Sequence, residues 1–270
     1  MRLRRILFVL ALVVGCSVPA ALAASPIEQV WSFNGGEVAI HAGPGGTLVG
    51  TVIRPTRLAL CSHPVGEEMW SDIRPQPDGS YWGLHQWYFE ASGCSPNPRL
   101  GLTAWRVMQS GGTRYLLVCL SEPGGPQPTI APDGTTSGVT YGCRESARVA
   151  ALPTQLAPAS HAGQASFIAS IGLPSSRRCY SRRSFQIHVK DPAYDPFRTL
   201  VVTLGGRRLR VSRAGDRFAA TIDLKGLPRG TFTVRVTATT VLGHRLSGSR
   251  TYHTCRVAHS RRVRPAQRHR

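Results

Sequence analysis

The sequence lacks the common catalytic fingerprints. It has no Gly-x-Ser-x-Gly elbow, no Walker loop, no His-Glu-x-x-His pair and no dinucleotide-binding glycine run. These absences weigh against the familiar hydrolases, nucleotide enzymes, zinc peptidases and dehydrogenases. No Cys-x-x-Cys pair occurs either, which argues against a zinc site. Lysine is nearly absent, with only Lys190 and Lys225, so arginine carries the positive charge. Tryptophan stops at Trp105. The leading apolar run, Ile6 to Gly15, falls short of the roughly 20 residues that a membrane-spanning helix needs.

Carboxylates are scarce in one half only. Residues 151–270 hold four Asp against twenty-two Lys and Arg, a net of +18, whereas residues 25–150 hold ten acids against eight Arg, a net of −2. The basicity therefore belongs to the second half. Such a half attracts polyanions, and an anionic cell-envelope polymer is the expected partner. No nucleic-acid motif accompanies the charge, so nucleic acid ranks last.

The first residues read as an export signal. Arg2, Arg4 and Arg5 precede the apolar run, and Ala21-Leu22-Ala23 supplies a small-x-small cleavage site. Residues 1–24 are assigned to this segment, and its removal leaves no transmembrane span. Val13-Val14-Gly15-Cys16 carries the alternative of a lipoprotein acylated at Cys16. Export makes the protein secreted or extracytoplasmic and associated with the cell envelope.

Six cysteines remain after the signal, an even number that implies disulfides in an exported chain. Six cysteines allow fifteen pairings. Cys179 and Cys255 stand alone in the basic half, so they are expected to pair. Among the pairings left, the neighbour pairs Cys61–Cys94 and Cys119–Cys143 are chosen. No cysteine is then left as a nucleophile, and no metal or cofactor is expected.

The remaining pattern is all β. Gly36 to His41 and Leu48 to Ile53 read as a hairpin around a glycine-rich turn. Met69 to Arg74 and Tyr81 to Phe89 flank Gln76-Pro77-Asp78-Gly79, where Pro presets φ and Gly accepts positive φ. Leu102 to Met108 and Arg114 to Leu120 flank Ser110-Gly111-Gly112. No convincing helix precedes Glu145. Six or seven short antiparallel strands predict a small barrel or sandwich over residues 25–150. An Ala/Pro/Ser-rich linker follows at 151–166. Further strands are read at Ser184 to Val189, Leu200 to Leu204, Arg207 to Val211, Arg217 to Leu224 and Gly230 to Thr240. They predict a β-sandwich over 167–257, with a basic tail at 258–270.

Two resemblances sharpen this. Val30-Trp31-Ser32-Phe33, the pair GEVAIH and LVGTVI, and the later GLTAWRV resemble the small lipocalin-like domains of exported bacterial proteins. That resemblance implies an up-and-down barrel and brings no catalytic residues with it. Gly226 to Val234 resembles the LPxGTYTV stretch of bacterial Ig-like surface modules. It implies a presenting or adhesive module outside the cell.

The densest chemistry lies between Pro64 and Phe89, with three tryptophans, Glu67, Glu68 and His85. Strand alternation puts Tyr81, His85 and Trp87 on one face and Trp82, Leu84 and Tyr88 on the other. Both faces are aromatic, so Trp82 and Trp87 are expected in the core. Glu67 and Glu68 are adjacent and point in opposite directions if extended. The ligand-binding candidates are Glu67, Glu68, Trp70, His85 and Trp87. A non-enzymatic binding or structural module is the expected function, with an unknown ligand. The alternative is a secreted hydrolase of glycans or esters using Glu67 or Glu68 with His85. His41, His63 and His85 lie on separate segments, without the spacing of metal ligands.

Overall fold

A computed structural model of the chain describes residues 25–58, 60–88, 94, 99–153, 173, 175–177, 184–224 and 230–254. The expected signal peptide, Cys16, the Cys179–Cys255 pair and the basic tail lie outside those residues, as does most of the expected linker. The described chain is all β, with one 3-10 turn at Pro44–Gly46 and no α-helix. Among the described residues no helix is long and apolar enough to cross a membrane.

Eight antiparallel strands close a barrel. They are β1 (Gln29–Phe33), β2 (Gly36–Ala42), β3 (Leu48–Arg54), β6 (Glu68–Pro75), β7 (Tyr81–Trp87), β8 (Arg99–Ser110), β9 (Thr113–Leu120) and β12 (Gly142–Ala151). Each pairs with the next barrel strand along the chain, and β12 returns to pair with β1, Gln29 lying opposite Ala151. Closure removes the exposed sheet edges that invite aggregation. The tight turns fall where the sequence supplies glycine. Gly79 at φ 83° closes β6–β7, and Gly111 and Gly112 at φ 56° and 80° close β8–β9.

Two short hairpins lie outside the barrel wall. The first is β4 (Thr56–Leu58) with β5 (Cys61–His63), and the second is β10 (Thr129–Ile130) with β11 (Thr136–Ser137). The β4–β5 hairpin folds over one end of the barrel. Thr56 Oγ1 donates to the Phe33 carbonyl, and Leu58 is buried in the barrel core. Cys61–Cys94 ties this hairpin to the segment between β7 and β8, and Cys119–Cys143 bridges the neighbouring strands β9 and β12. These are the neighbour pairs expected from the sequence.

Rings fill the barrel. Trp31, Phe33, Trp70 and Trp105 are fully buried, with Trp70 edge-on to Phe33 at 5.1 Å and to Trp105 at 5.6 Å. A buried ring removes about 150–250 Å² from water, on the order of 4–6 kcal/mol at about 25 cal/mol per Å². An eight-stranded barrel is just wide enough for such a filling. Trp70 fits because it lies across Gly50, where a Cβ would stand 2.6 Å from Cε3 of the indole.

The second half holds two antiparallel sheets over one core. One has the order β13 (Ser184–Lys190), β17 (Arg217–Asp223), β16 (Val211–Ala214). The other has the order β15 (Arg207–Arg208), β14 (Phe197–Leu204), β18 (Thr231–Thr240), β19 (Arg245–His253). Ile187, Phe218 and Ile222 from the first meet Val202, Val236 and Tyr252 from the second. The expected strand Arg207 to Val211 divides here. Arg207 and Arg208 pair with β14, while Val211 begins a strand of the opposite sheet. The turn after β18 leans on the barrel, where Val241 packs with Val30, Ala39 and Ile53.

Candidate functional site

The capped end of the barrel gathers polar side chains that few proteins bury. His63 hangs from β5, on the same side of its strand as the buried Cys61. The chain then turns through Pro64 to Gly66, the latter at φ 88°, and is pinned to β3 by the Gly66 N–H to Val52 O bond of 2.8 Å. That turn brings Glu67 back under His63. One Glu67 oxygen, Oε1, contacts His63 Nδ1 at 2.9 Å and accepts from the Tyr88 hydroxyl, also at 2.9 Å. Because a carboxylate accepts, His63 carries a proton on Nδ1.

His85 reaches the same place from β7. Its ring stands edge-on to that of His63, with centroids 5.7 Å apart. Trp70 donates its indole N–H to His85 Nδ1 at 2.8 Å. An indole only donates, so Nδ1 is unprotonated and the neutral ring bears its proton on Nε2. Burial holds the His85 pKa well below the usual imidazole range, and the nearby His63 adds to the effect. The Tyr88 phenol is pushed up to about 12, first by burial and then by its bond to Glu67 and the Glu67 charge.

Three atoms of this cluster are buried with no hydrogen-bond partner among the described residues: His63 Nε2, His85 Nε2 and Glu67 Oε2. An unpaired buried polar atom costs about 1–3 kcal/mol, so each of the three calls for a partner that the described residues do not supply, a buried water or another polar group. The cluster presents one fixed donor, His85 Nε2–H. It presents two acceptors, Glu67 Oε2 and, on the neutral ring, His63 Nε2. Among the described residues no three His, Cys, Asp or Glu side chains converge as a metal ion requires. A hydroxyl or another group that both donates and accepts matches the set.

The sequence-derived candidates divide. Glu67, Trp70 and His85 come together. Glu68 does not join them. It is exposed on the outer wall, beside Asp72 and Arg74 in an open cleft of about 270 Å³. Adjacent strand positions face opposite ways, as their neighbouring numbers imply. Trp87 is core, edge-on to Tyr141 at 4.6 Å. Trp82 corrects the expectation of a core position. It is 37 % exposed on the outer wall, because the barrel interior takes the other face of β7. His41 is also outside the cluster, with Nε2 on Thr51 Oγ1 at 2.9 Å. His63 and Tyr88 lie outside the sequence-derived ligand candidates, His63 having entered only as a metal ligand weighed with His41 and His85. The buried pattern Cys61-x-His63 on one strand face was the available clue to His63.

No family model matches the chain, and neither a curated protein nor a solved structure matches it.

Proposed function

We propose that this is an exported, non-enzymatic binding protein of the cell envelope or its surroundings. Its ligand group would be a hydroxyl or similar donor–acceptor held by His63, Glu67 and His85. The observation that carries this is the trio of buried, unpartnered atoms, His63 Nε2, His85 Nε2 and Glu67 Oε2. The domain reading draws further support from topology. The closed up-and-down order of the barrel is that of lipocalin-like barrels. The orders β13-β17-β16 and β15-β14-β18-β19 correspond to strands B-E-D and C′-C-F-G of Ig-like sandwiches. Two disulfides suit an oxidising compartment.

The test is a thermal-shift screen of the mature protein against mono- and disaccharides, polyols and small amides. A compound that raises Tm should lose its effect in Glu67→Gln and in His85→Ala. If no compound raises Tm, or if both variants respond like the parent, the binding reading fails. Mass spectrometry of the mature N-terminus reads the export step and separates cleavage after Ala23 from acylation at Cys16.

The second reading is hydrolysis of a glycan or ester. The sequence places it on Glu67 or Glu68 with His85. One observation favours it in altered form: the carboxylate of Glu67 orients the His63 imidazole and leaves Nε2 free, which is the base half of a hydrolytic site. Turnover of chromogenic esters or glycosides that vanishes in Glu67→Gln would replace the binding reading with this one.

A further inference from the structure

The outer face of the β15–β14–β18–β19 sheet carries arginine and hydroxyl side chains, with Val201 and His253 among them, and no carboxylate. Alternation sets this face. Val202, Leu204, Val234 and Val236 turn into the core, so Thr203 and Arg235 point out. Register then assembles rows across the strands. Arg208 lies opposite Thr203, which lies opposite Arg235, which lies opposite Ser249. Farther along the sheet, Thr199, Thr239 and Arg245 form a second row. Arg208 and Arg235 are two strands apart, so their backbones are about 10 Å apart. Arg245 faces Thr239, four residues beyond Arg235, which places it about 14 Å away.

The four Asp of this half lie elsewhere. Asp191 pairs with Arg213 at 2.9 Å, Asp216 with Lys190 at 3.8 Å and Asp195 with His244 at 2.7 Å, and Asp223 is on β17 of the other sheet. Arg208, Arg235 and Arg245 are all exposed, and none forms an ion pair with a described residue. No carboxylate among the described residues pairs with these three arginines, and Thr, Ser and Val201 positions lie between them in the sheet. Thr233 and Thr251 even bond each other there, at 3.0 Å.

We propose that this face binds an acidic glycan, a uronate-bearing polymer, with Arg208, Arg235 and Arg245 on its carboxylates and the Thr and Ser hydroxyls on its sugar hydroxyls. The planar guanidinium fork matches a carboxylate in two-point contact. A sheet face whose arginine backbones stand roughly 10 to 20 Å apart suits a linear chain carrying repeated acids, not a small anion. This inference is independent of the barrel site.

The test uses the full-length mature chain, with polygalacturonate as the probe, neutral dextran as the uncharged control and polyphosphate as the charge control. Polygalacturonate should bind at low salt, and the affinity should fall steeply as salt rises. The triple substitution Arg208→Gln, Arg235→Gln and Arg245→Gln should weaken it at least about tenfold, since three charge contacts are lost. Its Tm should not move, because all three side chains are exposed. The proposal is overturned if the triple variant binds polygalacturonate as tightly as the parent, which would place binding in the basic tail. No binding of polygalacturonate at low salt would also overturn it. Polyphosphate bound as tightly at equal charge would remove the glycan.

Discussion

The indole N–H of Trp70 donates to Nδ1 of His85 across 2.8 Å, and both rings are fully buried at the capped end of the barrel. The bond makes the histidine an acceptor on one side and leaves its proton on the other.

Acid should therefore destabilise the fold through His85. Its folded pKa lies well below the ordinary imidazole value of about 6.5, chiefly because of burial. Between those two values the unfolded chain binds more protons than the folded one. The stability is thus fully present above about pH 6.5 and is lost as the pH falls below that toward the folded value. His41, also lowered by burial, acts in the same direction. Urea midpoints measured from mildly alkaline to mildly acidic pH should fall, and His85→Gln should flatten the slope. Equal slopes in both proteins would show that the charge of His85 is not what titrates.

Alkali should act through Tyr88. Its pKa is pushed up to about 12 from the ordinary phenol value of about 10, so the folded state holds the phenol proton more tightly. That contribution is present below about pH 10 and is lost as the pH rises through about 12. Burial is the larger cause, so Glu67→Gln should bring the pKa only part of the way back. Ultraviolet tyrosinate titration of Tyr88→Phe against the parent would assign the phenol, and Glu67→Gln would then show a titration displaced to lower pH. An undisplaced titration would exclude the Glu67 contact.

Cutting the Cys61–Cys94 bridge should loosen the cap that holds His63. The bond spans a sequence separation of 33 residues, worth about 3–4 kcal/mol on the loop-entropy account. The double change Cys61→Ser and Cys94→Ser should lower Tm. It should also speed hydrogen exchange of the β4–β5 amides ahead of those in the barrel wall. Uniform exchange across the domain would mean that the cap and the barrel open together.

Gly50→Ala should disturb Trp70 directly. The new Cβ would meet the indole at 2.6 Å and the Trp70 Cβ at 2.9 Å. Overpacking of this kind costs about 1–3 kcal/mol. A lower denaturation midpoint with shifted tryptophan fluorescence is expected, and unchanged values of both would contradict the packing described.

Arg106 should prove structural. Its Nε donates to Ile130 O at 2.7 Å, and its two terminal nitrogens donate to Asp78 O at 2.9 Å and Asp78 Oδ2 at 2.7 Å. It ties the β6–β7 turn to the β10–β11 hairpin. Arg106→Ala should cost about 2–3 kcal/mol in chemical denaturation, because charge-assisted bonds are lost and a buried carbonyl loses its donor. A cost under about 0.5 kcal/mol, typical of a surface change, would exclude this role.

The strands that the sequence disclosed are those with positive-φ turns and clean alternation. The turns at Gly111-Gly112 and Gly205-Gly206 could be read because few other residues tolerate those backbone angles. β12 could not be read. In GCRESARVAA the inward positions are small or polar, and only Ser146 is buried, so no alternation of hydrophobicity appears. The strands of the β4–β5 hairpin are three residues each, too short for any period. Trp82 was misplaced because both faces of β7 are aromatic and periodicity does not distinguish inside from outside. Within the candidate site, the grouping of Glu67, Trp70 and His85 was legible from local density. The partnership of Glu67 with His63 was not, since a turn at Gly66 makes it.

Because Gln29 lies opposite Ala151, the chain enters and leaves the barrel at one point. A pull applied to the two ends would not shear the β1–β12 ladder. It would peel the ladder open one hydrogen bond at a time, from that shared end. The barrel is thus mechanically weak along the one axis on which its own chain can pull it, however stable it is to heat. It would behave as a soft link between whatever holds its leading end and the sheets that follow it.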